Sequence, residues 1–137
     1  MGLTTVRECE DLNCKVTFEE EGGYLYIEFI GAATLSMLRT MPDFIIEHPD
    51  WYPEVPSLVD FRGCSTAGLS SDDIFELSEM IKAMDEILGG GNCAIVTSRE
   101  LDYGLARMWQ MMTEEHVKMD IDVFKDIDEA RAWMLNL

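Results

Sequence analysis

The chain has 137 residues, 47% hydrophobic and 27% charged, which suits one folded domain with its own core and excludes a disordered chain. Its 27 Asp and Glu against 10 Lys and Arg leave a formal net charge of −17. A field of that sign excludes non-specific binding to nucleic acid or to an anionic membrane surface.

The N-terminal stretch MGLTTVRECED carries no apolar signal core, and no run reaches the length of a membrane span. Val6 stands where a myristoylation site requires a hydroxyl, so a cytoplasmic chain is expected, with residues 1–14 as an N-terminal arm to a single domain filling 1–137. Cys9, Cys14, Cys64 and Cys93 are scattered without Cys-x-x-Cys spacing, and His48 and His116 lie elsewhere. No metal site or cofactor is expected from that pattern. The cysteines read as free thiols, with a Cys9–Cys14 redox pair as the alternative.

KVTFEEEGGYLYIEF reads as two strands around a tight Glu/Gly turn, because Val16 and Phe18, then Leu25, Ile27 and Phe29, alternate with polar or aromatic neighbours. TLSMLRTMPDFIIEH has helical spacing at Leu35, Leu38 and Met41, and Pro42 either kinks that helix or opens a second segment after Thr40. SLVDF is a short strand. From Ser70 an amphipathic helix carries Ile74, Leu77, Ile81, Met84 and Leu88 on one stripe and ends at GGGN, with Ser70 or Ser71 as its cap. CAIV reads as a parallel strand covered on both faces. Thr97 and Glu100 then have the spacing of a capping box for a helix with Leu105, Met108, Trp109 and Met112 on its core stripe. IDVF is the last strand, and Asp126 with Glu129 caps the closing helix IDEARAWML. The order predicts an α/β fold, a mostly parallel sheet of about five strands with an N-terminal hairpin edge and about four helices.

Ligands of open parallel sheets meet the carboxyl ends of the strands, which here read VDFRGCST, VTSRELDY and VFKDID. Each holds one cation near the strand end, so Arg62, Arg99 and Lys125, with Ser98 beside them, are candidate anion contacts. The plainer alternative has these cations balancing acids in neighbouring helix turns. Cys64 or Ser65 could serve as a nucleophile only if folding brought His48 or His116 to it.

The element order, together with SLVDFRG, DYGLARM and VFKDIDEARAWM, resembles the bacterial SpoIIAA-like family of STAS domains over Val16 to Leu137. The resemblance implies a small α/β domain without enzymatic activity, an anti-sigma-factor antagonist or a regulatory module that binds kinases, transporters or another such domain. Some relatives are grouped with CRAL-TRIO lipid-transfer domains. The branch of anti-sigma-factor antagonists is switched by phosphorylation of a Ser in an Asp-Ser-Ser-Gly-Leu loop after the third strand of the pattern. The matching stretch is STAGL, with Ser65 in place of the Asp, Thr66 at the phospho-acceptor position, Ala67 in place of the next Ser, and Gly68 and Leu69 in agreement. The expected function is therefore a non-catalytic regulatory or protein-interaction domain with a protein partner, with Thr66 or Ser65 as candidate phospho-acceptor. A homodimer through the hairpin or an exposed helix face is compatible with it. The alternative is a small-anion or lipid-binding module with its ligand at the C-terminal edge of the sheet, in an apolar groove with Arg62 and Arg99 at its mouth.

Overall fold

Alternating side chains in the first part of the chain build an antiparallel meander. The computed structural model describes residues 2–8, the backbone of Cys9, and residues 12–137. Strands β1 (Thr4–Cys9), β2 (Leu12–Glu19) and β3 (Tyr24–Ala32) pair in chain order. The turn into β3 closes through Gly23, whose φ of +70° suits glycine and whose N–H donates to the Glu19 carbonyl at 2.8 Å. The expected N-terminal arm is thus corrected in part: Thr4 to Cys9 form an edge strand, in register from Thr4↔Thr17 to Cys9↔Leu12. Its β-branched Thr4, Thr5 and Val6 suit extended backbone, and β2 offers the edge on which they pair. The Cys9 side chain, and with it the Cys9–Cys14 pairing, lies outside the described residues.

Beyond β3 the sheet is parallel: β4 (Ser57–Ser65), β5 (Asn92–Val96) and β6 (Asp120–Phe124) add in order, giving six strands rather than five. The connections carry α1 (Leu35–Leu38) and α2 (Met41–Ile46), then α3 (Ser71–Ala83) and α4 (Asp85–Leu88), then α5 (Glu100–Thr113) with a 3₁₀ turn at Glu114–His116. Parallel crossovers keep one hand, so connections stepping in one direction lay α1 to α5 on the same face. Helix α6 (Ile127–Met134) closes the opposite face, where Leu58, Ala94 and Val96 pack against Ala130 and Met134. On the helix-rich face Val16, Leu25 and Ile27 meet Met37, Met41, Ile74 and Leu77. A fully buried Leu25 or Val16 contributes about 1.5–3 kcal/mol through burial.

Local chemistry explains the helix ends. Pro42 sits in the first turn of α2, where it forfeits no helical hydrogen bond, so the segment after Thr40 starts a new helix. Ser70 and Asp73 form a reciprocal capping box at 3.1 and 2.9 Å, and Asp126 accepts from the Asp128 and Glu129 amides at 2.8 and 3.0 Å. The helix expected from Ser70 to Leu88 instead breaks at Met84. Gly89 then turns the chain at φ +74°, and a Cβ at Gly91 would collide with the Glu54 carbonyl. The Thr97–Glu100 capping box does not form. Helix α5 starts at Glu100 with Arg99 at its N-cap position, and no side chain caps it. Among the described residues no helix is long and apolar enough to cross a membrane.

Candidate functional site

The loop after β4 is held by one buried carboxylate. Asp102, in the first turn of α5 and 2% exposed, accepts the Thr66 amide at 2.9 Å and the Thr66 hydroxyl through the same oxygen. Its other oxygen accepts Arg99 Nε at 2.7 Å, while the Arg99 guanidinium also donates to the Cys64 carbonyl. Burial alone would raise the Asp102 pKa, but the two Thr66 hydrogen bonds and Arg99 outweigh it and hold the carboxyl below the ordinary Asp value. Thr66, the phospho-acceptor candidate, is therefore buried with its hydroxyl committed to a carboxylate. Ser65 accepts the Ala67 amide at 3.3 Å, a local loop contact.

A second buried carboxylate takes up the other arginine. Asp60 lies within β4 on the α6 face, and it accepts Arg62 Nε at 3.0 Å, a terminal guanidinium nitrogen at 2.9 Å and the Tyr26 hydroxyl at 2.5 Å. Burial opposes ionisation here too, and Arg62 with Tyr26 outweighs it, so the Asp60 pKa is lowered. Lys125 pairs with Glu100 and stands 4.9 Å from the centre of the Tyr103 ring, while Ser98 donates to the Arg62 carbonyl at 3.4 Å. The expected anion contacts do not converge. Each cation faces its own carboxylate: Arg99 and Lys125 pair with acids in the first turn of α5, and Arg62 with Asp60 in its own strand.

What the strand ends do border is apolar space. A cavity of about 240 Å³ lies between the helix-rich face of β3–β5 and helices α2, α3 and α5. Ile27, Val59, Phe61 and Ile95 form its floor, and Ile45, Leu77 and Trp109 stand among its helical walls. It extends from Ser57, Cys93 and Met119, near the starts of the parallel strands, to Thr66, Thr97 and Asp102 at their carboxyl ends. Its lining is apolar apart from a few groups gathered mainly at that second end. Thr97 is 1% exposed, and its hydroxyl has no hydrogen-bond partner among the described residues.

The nucleophile candidates stand apart from both histidines. Cys64 is buried at the carboxyl end of β4, and burial, reinforced by Asp102, pushes its thiol up to about 11. His48 is buried near the opposite edge, with Nδ1 accepting the Asp50 amide at 3.0 Å and Nε2 facing the Leu3 carbonyl at 2.9 Å. His116 lies in the turn that leads into the start of β6.

No protein-family model matches the chain, and no curated protein matches its sequence. Among solved structures it is similar to an uncharacterised protein of the DUF3478 family with a SpoIIAA-like fold, from Shewanella loihica PV-4. The two align with a TM-score of 0.56 at 17% identity, covering 95% of this chain and 98% of that one. The fold is SpoIIAA-like.

Within that SpoIIAA-like fold the residues that organise the site differ from those the sequence singles out. Asp60 and Asp102 look like two more acids in a chain rich in them, and Thr97 looks like a helix cap. A signal for Asp60 exists: it shares strand parity with Leu58 in SLVDF, so an Asp on the covered face requires a partner, and Arg62 stands two residues on. The hints for Asp102 are its place at the head of DYGLARM and its i,i+3 spacing from Arg99. Nothing local marks Thr97 as unpartnered, because that depends on where α5 begins.

Proposed function

We propose that this protein is a non-catalytic regulatory module that works by taking a small apolar ligand into the cavity between its sheet and helices α2, α3 and α5. The cavity carries the reading: about 240 Å³ of mainly apolar space on one side of a parallel sheet, reaching the strand ends at which α/β folds place ligands. The Thr66–Asp102 contact favours ligand occupancy over phosphorylation as the signal. A phosphate on Thr66 would bring about two negative charges against an ionised carboxylate and break the contact that seats the loop. The buried Cys64 thiol and the separation of both histidines from it support a binding role rather than hydrolysis. A protein partner, expected from the resemblance to STAS domains, would distinguish the occupied form from the empty one.

Native mass spectrometry of protein purified gently from its own cells tests this. A small-molecule adduct is expected on the wild type and is expected to vanish in Ala106→Phe, whose ring fills the cavity from α5. Bare protein under every growth condition, or an adduct indifferent to the substitution, contradicts the proposal.

A further inference from the structure

The unpartnered Thr97 hydroxyl and the ionised Asp102 constrain what the cavity accepts, an inference that rests on the cavity being a ligand site. An apolar cavity of about 150 Å³ takes one benzene ring. By the same measure about 240 Å³ takes roughly ten non-hydrogen atoms. Thr97 is among the residues bordering this space, and its hydroxyl, almost wholly buried and without a partner among the described residues, can donate one hydrogen bond and accept another. A buried polar group without a partner destabilises a fold, so the hydroxyl is the feature a ligand would satisfy. Charge decides the rest. Asp102 lines the same end of the cavity, while Arg99 and Arg62 are each held by a buried Asp. An entering carboxylate or phosphate would meet Asp102 and find no uncommitted arginine, and an entering cation would have to leave water for walls that are mainly apolar.

We infer that the ligand is a neutral molecule of about ten non-hydrogen atoms, an apolar body with one hydroxyl, carbonyl or N–H group that hydrogen-bonds to Thr97. Free fatty acids and other organic anions are excluded, which reverses the anion site expected at this sheet edge.

Three probes of one shape test it: propylbenzene, 3-phenylpropan-1-ol and 3-phenylpropanoate, titrated by calorimetry into wild type, Thr97→Val and Thr97→Ser at neutral pH. Thr97→Val keeps the shape and removes the hydroxyl. It is expected to weaken the alcohol about fivefold relative to propylbenzene, while Thr97→Ser keeps the wild-type ratio. The carboxylate is expected to bind weakest to all three proteins. An alcohol-to-hydrocarbon ratio unchanged by Thr97→Val, or a carboxylate that binds tightest, overturns the inference while leaving the cavity a ligand site. If none of the probes binds, the ligand site itself falls, and the inference with it.

Discussion

Asp102 accepts three hydrogen bonds and donates none, and it joins the loop after β4 to the first turn of α5. Removing it would leave the Thr66 amide and hydroxyl buried without partners, so Asp102→Ala is expected to cost about 2–4 kcal/mol in urea unfolding. The Arg99 contact adds little to that figure, because the arginine is half exposed. The folded carboxyl has a lowered pKa, so the unfolded chain binds protons more readily as the solution is acidified. The Asp102 contribution is therefore complete above the ordinary Asp value of about 4 and is lost as pH falls below it. The stability gap between wild type and Asp102→Asn should stay constant through neutral pH and close below about pH 4. A gap independent of pH would show that folding leaves the carboxyl's pKa unshifted, and a gap that shrinks as pH rises through about 4 would show that the carboxyl is neutral in the fold. This residue was hard to read in the sequence for a physical reason. Its partner Thr66 lies 36 positions away, and a sequence window reveals periodicity but not a tertiary hydrogen bond.

At the scale of elements, the caps and strands were legible because their causes are local. Ser70–Asp73 and Asp126 cap the helices expected of them, and β2 to β6 follow runs of alternating or continuous apolar residues. Strand β1 was not legible, since both its faces are largely polar and its pairing depends on the hairpin already having formed. His48 adds a tether to this region through the Leu3 carbonyl, which also accepts the Phe18 amide. The helices over the cavity are unequal. Helices α1 and α2 have four and six residues, too few to hold many internal hydrogen bonds, whereas α3 and α5 have 13 and 14 and are joined by a buried Ser78–Thr113 hydrogen bond at 2.7 Å. Amides of α1 and α2 should thus exchange with deuterium well before those of β3 to β5 and α5, and saturating 3-phenylpropan-1-ol should slow them. Uniform exchange across all these helices would contradict the weaker hold of α1 and α2.

For the whole molecule, the two faces of the sheet have different tasks. The α6 face is filled by Leu58, Ala94, Val96, Ala130 and Met134, with Asp60 neutralised by Arg62 beside it. The opposite face holds the cavity, because α2, α3 and α5 leave space over Val59, Phe61 and Ile95. The net charge of −17 suits an acidic exterior around that interior and supplies no pull toward an anionic ligand. Fold class was legible in the sequence because it follows from element order. The cavity was not, because empty space between helices depends on crossing geometry and side-chain fit, which hydrophobic patterning leaves undetermined. The most direct test of the cavity as a ligand site is a ¹H–¹⁵N NMR titration of the whole chain with propylbenzene. Saturable shifts are expected at Val59, Phe61, Ile95, Thr97 and Ala106, with Ala94, Val96 and Ala130 on the other face little changed. Shifts confined to the α6 face, or none up to the solubility limit of the probe, would contradict it.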